Sequence, residues 1–247
     1  ALYRSTPFQL DNATLIPQGN DDGFIARADS NGNVKWIKTY GNAGLDYIQD
    51  LTIDNSYNLY ITGGFQDSIN LGGNTIQANS SDIFIAKLDA VGNFIWNTQL
   101  SVTGNYKSPN NIFSDADGNF YLAGLFSGNA NFGTFNINTS NTYDMFISRF
   151  NNNGDCLGVR HFGQASGSSV AVDNSGSAYC AGAFDNTINI GSTSMTALLG
   201  QDIYLAKIDA ITGIGGGEGR MANNQLLIYA NPNAGKCNIT VPDDFVN

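Results

Sequence analysis

Asp82-Ile-Phe-Ile-Ala-Lys-Leu-Asp-Ala-Val-Gly-Asn-Phe-Ile-Trp96 alternates apolar and small or polar residues, turns at Asp89–Asn93, and resumes in a second apolar run. Its first half recurs as Asp22-Gly-Phe-Ile-Ala-Arg27, Asp144-Met-Phe-Ile-Ser-Arg149 and Asp202-Ile-Tyr-Leu-Ala-Lys207. The leading aspartates at 22, 82, 144 and 202 set a period of 58 to 62 residues. Phe84, Ala86 and Leu88 share one strand face and Ile85 and Lys87 the other, the period-two pattern of a β-strand. A small residue between two large ones suits sheets packed face to face. The recurring cation (Arg27, Lys87, Arg149, Lys207) is expected to point away, toward water or an acid of a neighbouring sheet.

A second pair of strands follows each outer turn. It reads Leu51–Asp54 and Leu59–Phe65, then Ile112–Asp115 and Phe120–Phe126, then Val170–Asp173 and Ala178–Phe184. An alternating stretch (Ile69-Asn-Leu, Asn131-Phe, Ile188-Asn-Ile) precedes the next Asp segment. Each unit is therefore four strands plus an inserted hairpin. Such a unit cannot cover both of its apolar faces alone, so copies must stack. Four antiparallel strands per repeat predict an all-β fold, a β-propeller of four-stranded antiparallel blades. Parallel β-helices use shorter rungs, and a sandwich would not repeat.

Composition agrees. Hydrophobic residues make up 42% of the 247 positions and charged residues only 13%, against about 25% in an average protein. Asn, Gly, Ser and Thr supply the polarity, and Glu218 is the sole glutamate, a balance that favours turns over helices. A formal charge of −10 with scattered basic residues argues against nucleic acid as a partner. No apolar run is long enough for a transmembrane helix.

These repeats resemble the seven-bladed β-propeller repeat family of bacterial surface and secreted proteins. The resemblance rests on Asp-x-Phe-Ile-Ala-Lys-Leu-Asp-x-x-Gly-Asn-x-x-Trp and Asp-x-x-Gly-Asn-x-Tyr-x-x-Gly, clearest at 82–97 and 115–124, and covers residues 1–212. It implies a propeller with the Leu51–Asp54 type of strand innermost and the Trp strand outermost. On that phasing residues 48–100 and 110–162 are whole blades, residues 24–40 are the outer half of an earlier one, and the last blade lacks its outer strand. The ring is expected to be incomplete, with residue 1 falling inside a repeat.

Residues 213–224 read as a Gly-rich linker. From 225 to 247 the chain resembles the start of a C-terminal sorting domain of the Bacteroidota type IX secretion system, through Tyr229, Asn231, Pro232, Gly235 and the alternating run Cys237–Val241; Ala230 stands where that motif has a first proline. The resemblance implies passage through the type IX secretion machinery to the outer-membrane surface or the medium.

Candidate chemistry is sparse. Asp115-Ala-Asp-Gly-Asn119 has calcium-loop spacing but no bidentate Glu downstream, and its counterparts at Asp54 and Asp173 suggest an aspartate capping a hairpin turn. His161, the only histidine, aligns with Gln99 and Thr39 and is expected to be an exposed polar residue. No serine lies in a Gly-x-Ser-x-Gly elbow. Paired aspartates for glycoside hydrolysis remain open on sequence alone, although every recurring Asp falls at a turn or strand start. Cys156, Cys180 and Cys237 match neither a zinc site nor a disulfide framework, and Cys180 aligns with core positions Ile61 and Leu122. Trp36 and Trp96 fit packing between blades, with sugar stacking as the alternative. No catalytic residue, metal or cofactor is assigned. The expected function is a non-enzymatic secreted or cell-surface adhesion or assembly module that binds a protein or a surface polysaccharide. A carbohydrate-binding lectin and a non-catalytic part of a polysaccharide-degrading enzyme are the alternatives.

Overall fold

In the computed structural model the described residues (2–4, 7–190, 193–197, 200–208, 211 and 213–216) form strands, turns and loops, with no helix among them. The first repeat holds β1 (Leu2–Arg4), β2 (Phe8–Leu10), β3 (Ala13–Leu15), β4 (Asp21–Ala28) and β5 (Val34–Tyr40). The second holds β6 (Tyr47–Ile53), β7 (Leu59–Asn70), β8 (Thr75–Leu88) and β9 (Phe94–Val102), and the third β10 (Lys107–Ser114), β11 (Phe120–Phe132), β12 (Phe135–Phe150) and β13 (Cys156–His161). The fourth holds β14 (Ala165–Val172), β15 (Ala178–Phe184), β16 (Thr187–Ile190), β17 (Thr193–Thr196) and β18 (Asp202–Ile208), followed by β19 (Gly213–Gly216).

The blades pair antiparallel in the order β6-β7-β8-β9 and β10-β11-β12-β13, with β1-β4-β5 and β14-β15-β18 as the described parts of the outer two. The fold is a β-propeller of four-stranded blades, and the described blades do not close a ring. Inner strand β10 lies beside both β6 and β14, as the phasing requires. The hairpin expected in each repeat is an arm. In the middle blades it continues the second and third strands past a register shift, at Gln66/Ser68 and at Phe126/Gly128. In the first and fourth it is a separate two-stranded sheet, β2-β3 and β16-β17. The arm of the third blade also pairs with the outer strand of the second, Ala130 opposite Val102 and Asn131 opposite Ser101. That contact merges the two blades into one hydrogen-bonded sheet, and repeat spacing gave no hint of it.

Each interface between blades is a separate apolar layer. Phe84, Ala86 and Leu88 face the first blade and pack with Ile25, Tyr40, Ile61 and Phe65. Ile83 and Ile85, on the opposite face, join Phe120, Leu122, Phe146 and Phe150 of the third blade. Ile147, Met145 and Tyr121 continue into Cys180, Tyr204, Ala206 and Ile208 of the fourth. The alternation read from the sequence thus distributes each strand between two neighbours, and burial of these side chains drives the stacking.

The Gly of each Tyr-x-x-Gly marks a close approach. The innermost strand bulges at the same place in three blades, between Ile48 and Asp50, Pro109 and Asn111, and Gly167 and Ser169. A Cβ at Gly124 would lie 2.4 Å from the Ser108 carbonyl oxygen and 2.9 Å from the Phe146 ring; at Gly182 it would lie 1.6 Å from the Ser166 oxygen and 2.8 Å from Tyr204. Only glycine fits between the bulged backbone and the aromatic of the third strand.

Gly213–Gly216, read as the opening of the linker, forms β19, which adds in parallel to the outer edge of β13. An edge strand needs backbone groups and no apolar side chains, so a Gly-rich segment can fill the place. The sorting motif at Tyr229, Asn231, Pro232 and Gly235 lies outside the described residues, as do Cys237 and Glu218.

Candidate functional site

The recurring polar residues fall into two sets at opposite ends of the strands. At one end are the turns. Asp54 Oδ1 accepts the backbone N–H groups of Ser56 and Asn58 (both 2.9 Å), and Oδ2 accepts Asn58 Nδ2 and the Tyr60 hydroxyl. Asp29, Asp89, Asp115 and Asp173 close their turns in the same manner. At the 151–155 turn the two partners are exchanged: Asn151 caps the amides and donates to Asp155. Asp115 is therefore a turn cap, with Oδ1 taken by Asp117 and Asn119 amides and Oδ2 by Asn119 Nδ2. Burial works against ionisation of Asp54, yet its Asn58 and Ser56 hydrogen bonds and the Lys87 charge hold its carboxyl below the ordinary value. Lys35 and the Asn33 groups bring exposed Asp29 down to about 2.

The recurring cation belongs to this set. Lys87 is buried, 3.7 Å from Asp54 of its own blade and 4.8 Å from the Tyr60 ring centre. Lys207 repeats the arrangement with Asp173 at 4.0 Å and Tyr179 at 5.6 Å, and Arg149 lies over Tyr121. The expectation of water or a neighbouring blade's acid is corrected here: the second strand places a tyrosine beneath the cation, and the turn aspartate sits beyond it. Pairing with that acid and ring offsets the desolvation of a buried ammonium. Arg27 differs, donating to the Ala90 carbonyl of the next blade.

The tyrosines and tryptophans lock blade to blade. Tyr60 shares its one hydroxyl proton between Asp54 and the Gly118 carbonyl of the following blade, and Tyr121 donates to the Gly176 carbonyl of the blade after it. Trp96 donates to Asn152 O at 3.1 Å and stacks on Phe120 of the third blade. A Cβ at Gly154 would lie 3.0 Å from the Trp96 ring, and one at Gly92 3.2 Å from Trp36. Both tryptophans are packing residues. Inner strands are linked laterally as well: Asp50 accepts Ile112 N at 2.9 Å, and Asn111 Oδ1 accepts Val170 N at 2.7 Å.

At the other end of the strands stand the leading aspartates. Asp22, Asp82, Asp144 and Asp202 are all buried. Asp82 accepts Gln99 Nε2 (2.6 Å), Ser101 Oγ (3.3 Å) and Val102 N (3.0 Å). Asp144 accepts Asn141 Nδ2 and meets His161 Nδ1, both at 2.8 Å. His161 is thus not the exposed residue expected. It is largely buried at 16% side-chain exposure, edge-on to Phe126, and does for Asp144 what Gln99 does for Asp82. Its alignment with Gln99, taken with the repeated Asp, was the signal for this contact. Cys180 sits in the core as expected, its thiol pushed up to about 12 by burial, and Cys156 is raised likewise. No group of three or more His, Cys, Asp or Glu with metal-binding placement occurs among the described residues.

One position at this end does not repeat. The residue preceding the inner strand's bulged segment is Asp46, Lys107 or Ala165 in successive blades, by the registers of Tyr47, Ser108 and Ser166. Asp46 is fully buried and accepts Asn42 N and Gln66 N; burial, with Asp22 and Asp67 nearby, pushes its carboxyl up to about 6. Lys107 instead donates to the carbonyls of Ser81 and Val102, each at 2.9 Å. It lines an open polar cleft of about 560 Å³ between the second and third blades, together with Asn79, Ser80, Ser81, Asp82 and Asn105. Nothing in the repeat pattern singled out Lys107, because its counterparts share no chemistry with it.

No protein-family model matches the sequence. A WD repeat-containing protein of Acanthamoeba polyphaga mimivirus is 25% identical over 141 residues, which is 51% of this chain and 10% of the relative. The chain thus spans about a tenth of that protein's length. The similarity is to a repeat protein and agrees with the propeller-like blades described above.

Proposed function

We propose that this chain is part of a non-enzymatic β-propeller that works outside the cell, binding a protein or a surface polysaccharide, or assembling with its own copies. The observation that carries the reading is where the recurring acids, the histidine and the tryptophans go. Asp54, Asp82, Asp115, Asp144, His161 and Trp96 all have structural partners within or between blades. The groups that general acid–base or nucleophilic chemistry would need are held in place as fasteners. What remains variable is loop and cleft surface, the part of a propeller suited to recognition. A WD repeat relative, sharing part of the chain, supports a binding or assembly module of this kind.

The extracellular part of the proposal rests on the sequence. Residues 1–216 belong to the propeller, the Gly-rich segment that follows leads out of it, and 225–247 open a type IX sorting domain through Tyr229, Asn231, Pro232 and Gly235. The polar cleft favours one second reading, a carbohydrate-binding module within the same fold. In cells carrying the full-length gene, the protein is expected at the surface or in the medium, open to added protease. Deleting the segment from Gln225 onward should retain it in the periplasm. Deleting the gene should impair adhesion, motility or surface assembly. Intracellular protein with all three properties unchanged contradicts the proposal.

A further inference from the structure

We infer that the cleft between the second and third blades binds an acidic sugar, a hydroxyl-rich ring bearing one carboxylate, with Lys107 as the carboxylate's partner. The inference rests on the extracellular binding reading and deepens it.

The cleft, at about 560 Å³, has room for one or two pyranose rings, within the usual span of ligand pockets. Its lining is mostly hydroxyls and amides and contains no aromatic ring, so a flat apolar ligand finds no platform there. The one carboxylate in the wall, Asp82, already has three of its roughly four acceptor positions filled by the protein. Asn79, Ser80, Ser81 and Asn105, by contrast, make no side-chain hydrogen bond among the described residues. They offer a ligand four sets of donors and acceptors at one mouth.

Lys107 fixes the charge. An ammonium has three N–H donors. Two are directed at the carbonyls of Ser81 and Val102, which pin the nitrogen at the cleft wall and leave the third for a ligand. A pinned ammonium loses little further freedom when it meets a carboxylate, the condition for a productive charge-assisted contact. The same place in the fold carries buried Asp46 at the preceding junction and Ala165 at the following one. Of the three described junctions, only this one presents a cation to an anion. Ser80, on the rim, is held at φ +144°, a conformation that non-glycine residues rarely adopt and that clusters at ligand contacts.

The test titrates the protein with oligogalacturonate and, in parallel, with neutral maltooligosaccharide of equal length, by calorimetry. Saturable uronate binding is expected, about tenfold or more tighter than the neutral oligomer and weakened by added salt. Lys107→Met should lose at least about tenfold in uronate affinity, and Asn79→Ala with Asn105→Ala several-fold. Both asparagines are exposed, so that double variant keeps the fold even if Lys107→Met does not. Equal affinity for the two oligomers, or unchanged uronate affinity in the folded double variant, overturns the inference. Failure to bind either oligomer while the full-length protein still supports adhesion overturns the acidic-sugar site and leaves the extracellular module standing; loss of both overturns the two together.

Discussion

The turn ends and the arm ends of these blades are built from the same residue types and behave differently. At the turns every blade repeats one solution: an aspartate or asparagine folded back on its own loop, a left-handed fourth residue that is glycine except at Tyr57, and, where a blade follows, lateral bonds to it. At the arm ends the buried leading aspartate repeats, but the residue beside it changes from Asp46 to Lys107 to Ala165. A position that repeats is fixed by the stacking of blades. A position that varies while its surroundings repeat is free to carry specificity.

The largest effect should come from the shared scaffold. Gly182→Ala or Gly124→Ala forces a Cβ into a backbone oxygen, and each should cost several kcal/mol or abolish folding, as thermal unfolding would show. A well-folded Gly182→Ala protein would mean that the inner strand is not bulged against β15. Next, Asp54→Ala removes a carboxylate with hydrogen-bonding donors on both oxygens and leaves Lys87 buried without its acid, a loss of about 2–4 kcal/mol.

The two ends should also separate by pH. Asp29, Asp54, Asp89 and Asp173 at the turns have folded-state values below the ordinary one, Asp29 at about 2, so their stabilisation is present above about pH 4 and is lost as pH falls toward 2. Asp46 has the opposite sign. Its folded value of about 6 exceeds the unfolded value, so a penalty is absent below about pH 4 and grows as pH rises through 6. Asp46→Asn should therefore erase the decline between pH 4 and 6; because the amide keeps only one of the two backbone N–H bonds that the carboxylate accepts, its net gain at pH 7 should not exceed about 1 kcal/mol. The acid limb should stay. Loss of both limbs in this one variant would break the assignment.

The smallest effect sharpens the comparison most finely. His161→Gln should be close to neutral, within about 0.5 kcal/mol, because Gln99 already makes the equivalent bond to Asp82; His161→Ala should cost about 1–2 kcal/mol. A large loss in His161→Gln would show that the blades are not equivalent at that position.

Much of the fold was legible because stacking imposes local rules. Phe84, Ala86 and Leu88 alternate because a strand has two faces, and Gly92 and Gly154 stand in left-handed turns (φ +82° and +88°) beneath the preceding blade's tryptophan. Cys180 was placed by alignment with Ile61 and Leu122. Contacts fixed by three-dimensional neighbours were not legible. The acid facing Lys87 lies in the turn of its own blade, a matter of side-chain reach that spacing does not encode. The β9–β11 pairing depends on how far an arm leans, and β19 on a segment with no alternation at all. Lys107 escaped notice for a related reason: a cation unlike its counterparts leaves no pattern, and the cleft exists only once two blades are side by side.

Consecutive repeats stand as adjacent blades with inner strand beside inner strand. Thr52 Oγ1 on β6 and Ser114 Oγ on β10 are 3.0 Å apart across that boundary. With the native cysteines replaced, Thr52→Cys and Ser114→Cys together should form an intramolecular disulfide on mild oxidation, seen as a linked pair of peptides by mass spectrometry. A Thr52→Cys, Thr98→Cys protein, with its second thiol on the outer strand, should not. Disulfide formation in the second protein and none in the first would contradict the stacked-blade account.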